Sequence, residues 1–294
     1  MASKRCMAGS RAASHEFDVD AWKRALAEPE LLTEGDGAEV VKDSPSGKVV
    51  RRKLTVDGTT LDVYIKRPRQ KRPWKVPLDC FRRSRPIRAF ELGHVLLTRR
   101  IATALPLVAL QRRRGLLLRD SILITESVDA PSLHEFLRTW LGSPPRGDWQ
   151  LSADQQHQLA QEVLWQLGRL VQRLHDHNLA HRDLKATNLL VRWSTGSDPE
   201  VVLIDLDGLS RRPLLTLRRR FQGLMRLNVS LLKCPEVNHA GRLRMLLGYL
   251  RRPGCGQIDF KPYWHLLAQW SAKKLKQQIR SRRKRQKTVR RPAR

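Results

Sequence analysis

The chain has 294 residues, which suits one two-lobed domain or two small ones, and its 40% apolar content indicates a globular protein. Its 57 Lys and Arg outnumber 28 Asp and Glu, and the net charge of +29 predicts an anionic partner, either nucleic acid or a membrane surface. The four cysteines include no C-x-x-C pair, which argues against a disulfide framework or zinc site and favours a reducing cytosol. The polar first 20 residues lack a secretory apolar core, and no apolar run approaches the roughly 20 residues that a membrane span needs.

The first 126 residues are predicted to form an extension followed by a sheet. Residues 1–38 are interpreted as an N-terminal extension with one helical stretch around Val19–Leu32. Residues 39–126 hold five β-rich runs, with a hairpin signal at Asp57-Gly58 and a helix from Pro86 to Ala102 between the third and fourth runs. The predicted strands are Glu39–Lys42, Lys48–Val56, Thr60–Lys66, Leu107–Gln111 and Leu116–Thr125.

The second half of the sequence is predicted to be mainly helical. Ser152–His177 places apolar residues at helical spacing and is followed by a loop and two short strands, Leu189–Arg192 and Val201–Ile204. Further helices are predicted at Pro131–Leu141 and at about 213–232, 236–251 and 262–285. From Ser271 onward the chain carries 12 Lys or Arg and no acid. Residues 127–270 are therefore interpreted as a helical region and residues 271–294 as a basic tail.

The strongest motif is the loop His181–Asn188, which reads H-R-D-L-K-A-T-N and matches the catalytic loop of kinases. It also follows a long amphipathic helix and precedes a short strand, as that loop does. Phosphoryl transfer requires a positioned hydroxyl, held metal ions and neutralised phosphate charge. We therefore expect Asp183 to orient the acceptor hydroxyl and take its proton, Lys185 to reach the transferring phosphate, and Asn188 to hold Mg²⁺. A plain polar loop is the alternative, and five matching positions in this context outweigh it.

A second acidic motif follows the strand Val201–Ile204 and reads Asp205-Leu206-Asp207. A carboxylate at the end of a buried strand resembles the metal-holding Asp of the D-F-G element in kinases. Carboxylate oxygens are the ligands that Mg²⁺ prefers. Asp205 is the predicted ligand because it directly follows four apolar residues, and Asp207 is the alternative.

Two residues of the first half are predicted to meet the phosphates of ATP. Lys66 ends Val63–Lys66, which resembles the V-A-I-K strand whose lysine pairs with these phosphates. Glu91 is the only acid between Asp79 and Asp120 and lies in the predicted helix, so a Lys66–Glu91 ion pair is expected. The alternative is that Glu91 balances the neighbouring arginines.

The remaining nucleotide-binding signals are weaker. The segment 43–48 has the position of a glycine-rich loop but only one glycine, so its backbone N–H groups and Lys48 are predicted to cover the phosphates, with a plain hairpin as the alternative. Glu126 and Val128 follow the fifth strand and are predicted to contact adenine through their backbone. ATP and Mg²⁺ are the cofactors that these residues indicate.

Taken together, residues 63–250 resemble the lipopolysaccharide kinase (Kdo/WaaP) family, bacterial enzymes that phosphorylate sugars of the lipid-linked core oligosaccharide. Besides the His181–Asn188 loop, the segments that carry the resemblance are Tyr64–Arg67, Arg88–Glu91, Leu123–Glu126, Leu203–Asp207, Leu224–Leu231 and Arg244–Leu250. The resemblance implies an α+β, two-lobed protein-kinase-like fold, with a five-stranded N-lobe containing one helix and a reduced helical C-lobe. It also implies an ATP-dependent phosphotransferase acting on an alcohol group of Kdo, heptose or a related glycolipid. Lys185 and Asn188 are more typical of protein kinases.

Two other functions fit parts of the sequence. A protein kinase is the first, because Cys234-Pro235-Glu236 resembles an A-P-E signature, although the 34 residues between it and the basic tail are too few for peptide-docking helices. The second is a non-catalytic nucleic-acid-binding module, which the net charge of +29 favours. The intact catalytic positions and an aromatic content of only 6% argue against that module.

The basic tail predicts where the protein works. Each Lys or Arg near an anionic leaflet contributes about 1 kcal/mol of attraction, screened beyond a Debye length. We therefore expect residues 271–294 and exposed arginines to dock the protein peripherally on the cytoplasmic membrane, where a lipid-linked saccharide acceptor is made. A solubilising tail and nucleic-acid binding are the alternatives.

Overall fold

The computed structural model describes residues 2–8, 19–28, 31–69, 83–142, 151–252, 254, 256 and 258–289. The chain forms two compact units. The first contains Met1–Asp129 together with Leu203–Leu209, and the second contains Ala130–Val202 and Ser210–Arg294. The boundary between the units, after residue 129, lies three residues from the boundary predicted after residue 126. No pattern in the sequence predicted that residues 203–209 belong to the first unit.

The first unit is built on a six-stranded antiparallel sheet with the order β1-β5-β6-β4-β3-β2. Its strands are β1 (Ala2–Ala8), β2 (Glu39–Ser44), β3 (Gly47–Val56), β4 (Thr59–Pro68), β5 (Pro106–Arg114) and β6 (Leu117–Glu126). All five predicted strands are confirmed. The sixth, β1, comes from the segment interpreted as an extension. It pairs with β5 through backbone groups at the sheet edge, and such pairing requires no apolar alternation in the sequence.

The described residues of the first unit form two α-helices, α1 (Val19–Ala25) and α2 (Arg85–Thr98). Trp22 of α1 is fully buried in the same core cluster as Val63 and Ile124 of the sheet, so this part of the N-terminal segment contributes to the core. The helix α2 begins where Ser84 accepts a hydrogen bond from the Ile87 N–H, with a proline in the first turn.

The segment Leu203–Leu209 is attached to the first unit by backbone contacts with the chain just after α2. The Thr103 hydroxyl donates to the Leu203 carbonyl at 2.6 Å, and the two residues form an isolated parallel bridge. Gly93 of α2 lies so close to Leu206 that a Cβ at position 93 would meet its Cδ1 at 2.8 Å. These contacts fix the position of Asp205 in the first unit.

The second unit is mainly helical. Its elements are α3 (Leu133–Gly142), α4 (Ala153–Asp176), β7 (Leu179–His181), β8 (Leu189–Arg192), β9 (Glu200–Leu203), β10 (Leu209–Arg211), α5 (Leu217–Leu231), α6 (His239–Leu250) and α7 (Lys261–Val289). The short strands form two ladders, β7 with β10 and β8 with β9. The predicted helices are confirmed, with ends that differ by a few residues. None of the helices that the structure describes is long and apolar enough to cross a membrane.

The helices α4 and α6 are in backbone contact, and two glycines make this possible. A Cβ at Gly168 would stand 2.1 Å from the Met245 carbonyl oxygen, and a Cβ at Gly248 would stand 2.4 Å from the Trp165 carbonyl oxygen. Neither backbone atom is free to move away, because each belongs to a packed helix. Gly248 lies in the segment Arg244–Leu250, so the close crossing gives a physical reason for its glycine.

Candidate active site

The loop between β7 and β8 brings its three predicted functional residues together. Lys185 Nζ donates to Asp183 Oδ2 at 2.7 Å, and Asn188 Nδ2 donates to the Asp183 carbonyl oxygen at 2.9 Å. The Asp183 N–H points back to His181 Nδ1, at 3.3 Å. Every one of these bonds spans five positions or fewer, so the motif builds this geometry locally.

The charge state of Asp183 follows from its neighbours. Partial burial on its own raises the pKa of this carboxyl, but the Lys185 hydrogen bond and charge, with contributions from His181 and Asn188, outweigh burial and lower the pKa below its usual value. Asp183 is therefore an ionised acceptor at neutral pH. Its side chain is 56% exposed, so a substrate hydroxyl has access to it.

A partly buried contact attaches this loop to α5, because the Ala186 N–H donates to the Ser230 hydroxyl at 2.9 Å. Beside the loop lies a cavity of about 470 Å³ whose walls come from the loop, α3, α5 and α7. Its charged lining consists of Asp183 and the cations Arg182, Lys185, Arg226, Lys233 and Lys274. The sequence alone did not predict the last three, because Arg226 on α5, Lys233 just after it and Lys274 on α7 are far apart in the chain and form no short motif. The nearest signal was the segment Leu224–Leu231.

In the first unit, the structure brings Lys66 and Asp205 together. Lys66 Nζ donates to the Ile204 carbonyl at 3.1 Å and lies 3.7 Å from Asp205 Oδ1. The same carboxylate oxygen accepts from the Asp207 N–H at 3.3 Å. Asp205 therefore provides the carboxylate beside Lys66, and Asp207 contributes its backbone N–H.

The expected Lys66–Glu91 ion pair is wrong for this conformation. Glu91 Oε1 instead pairs with the Arg83 guanidinium. Arg83 lies eight positions from Glu91, just before α2, so this pair forms within one stretch of chain, whereas Lys66 belongs to β4. The alternative prediction, that Glu91 balances a neighbouring arginine, therefore describes the contact that forms.

The weaker nucleotide-binding residues have mixed outcomes. Lys48 Nζ donates to the Thr33 carbonyl at 2.7 Å, so its ammonium is already engaged. A Cβ at Gly47 would stand 2.8 Å from the Arg67 carbonyl, which accounts for this glycine as a feature of the β2–β3 hairpin. The Glu126 N–H is used by the Leu105 carbonyl at 2.9 Å.

The predicted adenine-contacting segment does retain one backbone donor. Within the described part of the chain, the Val128 N–H donates to no protein acceptor. A backbone N–H without a partner after β6 is the type of group that meets a nucleobase edge. Val128 therefore stays a predicted adenine contact, with the carbonyl of Glu126 beside it in the chain.

The donor atoms suit magnesium. Among the described residues, no group of three or more His, Cys, Asp or Glu is arranged to hold a metal. Mg²⁺ is usually held by one or two protein oxygens and completed by phosphates and water, so a dense cluster is not required. The Asp205 carboxylate and the Asn188 amide oxygen are such donors, and the Asn188 nitrogen is the atom already used toward Asp183.

Comparison with known proteins identifies the fold and the family of this chain. The chain is similar to the solved structure of WaaP in complex with acyl carrier protein, with a TM-score of 0.59 and 22% identity over 87% of this chain and 95% of that one, which shows a shared fold. A 3-deoxy-D-manno-octulosonic acid kinase of Mannheimia succiniciproducens is 37% identical over 76 residues. That match covers 26% of this chain and 30% of that enzyme. Residues 56–249 match the lipopolysaccharide kinase (Kdo/WaaP) family, and the chain belongs to this family.

Proposed function

We propose that this chain is an ATP-dependent kinase that phosphorylates a sugar hydroxyl of a lipopolysaccharide core, either Kdo or heptose, or of a related glycolipid. The observation that carries the proposal is the arrangement of Asp183, Lys185 and Asn188 within the segment that matches a sugar-kinase family. The two compact units would act as the N-lobe and C-lobe of a protein-kinase-like fold.

The acceptor side of the reaction is assigned to the second unit. The sugar hydroxyl donates a hydrogen bond to the ionised Asp183 carboxylate and passes its proton there as the new O–P bond forms and the bond to ADP breaks. Lys185, already within 2.7 Å of Asp183, lies beside the transferring phosphoryl group and offsets its charge.

The nucleotide roles are assigned to the residues that the sequence predicts for them. Lys66 binds ATP phosphates, and the backbone of Glu126 and Val128 contacts adenine. Asp205 and Asn188 are the residues that would hold Mg²⁺, which would neutralise phosphate charge when bound. The contact of Lys66 with Asp205 and the Ile204 carbonyl supports this assignment, since it keeps a cation beside the metal-binding carboxylate.

The activity is tested with purified protein, ATP and lipopolysaccharide or its delipidated core as acceptor. We expect mass spectrometry to find one added phosphate on a core sugar, and Asp183→Asn to abolish the product while retaining the fold. Lipopolysaccharide from cells with and without the protein should differ by the same phosphate. An unchanged core in both experiments would refute the proposed function.

We further propose that the protein docks peripherally on the inner face of the cytoplasmic membrane. The exposed cations on the second half of α7 include Lys276, Arg280 and Arg283. Each would contribute about 1 kcal/mol near an anionic leaflet. Replacing these three with Gln should strongly reduce sedimentation with anionic vesicles at low salt, with neutral vesicles as the control. Equal sedimentation of both proteins would contradict membrane docking.

A further inference from the structure

The cavity beside Asp183 is unusually rich in positive charge. Lys and Arg make up 57 of 294 residues in the chain but five of the twelve described residues that line this cavity. Among these twelve residues, Asp183 is the only acid. The fraction of Lys and Arg in the lining is more than twice the fraction in the whole chain, so the basic composition of the chain does not account for it.

Four of these five cations make no ion pair and no side-chain hydrogen bond within the part of the chain that the structure describes, whereas Lys185 is paired with Asp183. Arg182 belongs to the loop itself, and the other three, Arg226, Lys233 and Lys274, come from the walls around it. Cations that converge without a counter-charge repel one another, and an oxyanion between them relieves that repulsion and accepts charge-assisted hydrogen bonds.

The α5 wall of the cavity is fixed by the catalytic loop itself. Ser230 accepts from the Ala186 N–H at 2.9 Å and also lines the cavity. Arg226 lies four positions before Ser230 on the same face of α5, and Lys233 lies in the turn after the helix, where its N–H donates to the Ser230 carbonyl at 3.1 Å. The bond that attaches the loop to α5 therefore also aligns these cations beside Asp183.

The α7 wall is fixed by a buried hydrogen bond. Asn228 Nδ2 of α5 donates to Ser271 Oγ of α7 at 2.8 Å, and both residues are at most 4% exposed. Lys274 and Gln278 follow Ser271 by three and seven positions on the same helix face, and both line the cavity. The helix that begins the basic tail is thus also a wall of the catalytic cavity.

We propose that Arg226, Lys233 and Lys274 bind an oxyanion carried by the acceptor, a carboxylate or a phosphate on the sugar that is phosphorylated or on its immediate neighbour. Gln278 adds a hydrogen bond from the same wall. The inference rests on the proposed kinase function and makes it more specific, because it predicts selection for acceptors that are already negatively charged. A cavity of about 470 Å³ is within the usual range for small-ligand sites.

Equilibrium binding tests the subsite without turnover. Calorimetry would compare the methyl glycoside of Kdo with its carboxyl-reduced derivative, and a heptose phosphate with heptose. We expect the charged member of one pair to bind about tenfold more tightly, a ratio typical of one charge-assisted hydrogen bond. The pair that shows the preference identifies the oxyanion as carboxylate or phosphate. Equal affinity within both pairs would overturn the proposal.

Matched variants assign the effect to these residues. Lys274→Gln and Lys233→Gln should each remove most of the preference for the charged sugar and leave the neutral sugar unchanged, and Lys274→Arg should retain it. Lys273→Gln is the control, since Lys273 is exposed on the same helix and lies outside the cavity lining. Equal losses for charged and neutral sugars, or equal effects of the 273 and 274 variants, would contradict the subsite.

The same series separates this proposal from the proposed function. Selective binding of a charged sugar without phosphoryl transfer to any core acceptor would support the subsite and refute the kinase function. Transfer to charged and neutral acceptors with equal kcat/KM would support the kinase function and refute the subsite. Arg226→Gln extends the series, with a thermal unfolding measurement to confirm that this half-buried variant folds.

Discussion

The two groups of candidate catalytic residues are held in opposite ways. In the second unit, Lys185 and Asn188 contact Asp183 from two and five positions away. In the first unit, Lys66 meets the Ile204 carbonyl across 138 positions, and that contact depends on the bridge between Thr103 and Leu203. A short motif therefore builds the loop around Asp183, whereas the contact made by Lys66 depends on how distant segments of the first unit pack.

The largest expected effect comes from removing the carboxylate of either group. Asp183→Ala should lower kcat by about 10²–10⁴-fold, because it removes general-base assistance and acceptor orientation. Asp205→Ala should abolish transfer as well, and it should also make ATP binding insensitive to Mg²⁺, since a metal ligand is lost. Steady-state kinetics and nucleotide titrations with and without Mg²⁺ measure both effects.

These two variants distinguish the groups from each other. ATP affinity and its Mg²⁺ dependence should remain normal in Asp183→Ala, because that residue acts on the acceptor. Full activity in either folded variant, or a Mg²⁺ defect that appears only in Asp183→Ala, would reverse the assignment of roles.

The next largest effect concerns the support of the second unit. Gly168→Ala would place a Cβ 2.1 Å from a backbone oxygen of α6, so we expect a destabilisation of about 3 kcal/mol or more. Gly256→Ala is the control, because a Cβ there meets nothing within 4 Å. Urea unfolding measures both. A Gly168→Ala protein as stable as the control would show that α4 and α6 separate easily.

A third prediction tests the long-range group directly. Lys66→Met should reduce turnover by about a hundredfold, an effect of the size expected for a lost phosphate contact. Glu91→Gln should cost less than about tenfold, because Glu91 pairs with Arg83 and not with Lys66. Comparable losses in kcat/KM for the two variants would indicate that a Lys66–Glu91 pair forms during the reaction.

The smallest expected effect is a dependence of stability on pH at His175, a buried residue of α4 that faces Gly223 of α5 and Tyr249 of α6. Burial, with the charge of Arg220, lowers its pKa to about 4, while Asp176 acts in the opposite direction. Because the unfolded state takes up this proton near pH 6.5 and the folded state does not, stability falls as pH drops from about 6.5 toward 4. We expect a loss of about 1 kcal/mol between pH 7 and 5.5.

Urea unfolding of His175→Gln at both pH values checks this assignment. The variant should lack that part of the pH dependence, although the loss of the hydrogen bond to Tyr249, 3.1 Å in length, should lower its stability at neutral pH. An identical pH dependence in wild type and variant would show that other groups are responsible.

The sequence by itself determined the elements and the catalytic loop. Helical and strand periodicity predicted the five strands and the helices, because these patterns record which face of each element is buried. The motif His181–Asn188 predicted Asp183, Lys185 and Asn188 because their contacts are nearly adjacent in the chain.

Only the tertiary structure decided the contacts between distant segments. These contacts are the pairing of β1 with the sheet and the ion pair of Glu91 with Arg83. They also include the hydrogen bond between Asn228 of α5 and Ser271 of α7, two helices that contribute cations to the cavity beside Asp183. Each of these contacts depends on residues that become neighbours only on folding, so none leaves a short pattern in the sequence. The three causes are backbone pairing at a sheet edge, competition among many arginines for few acids, and the convergence of two helices.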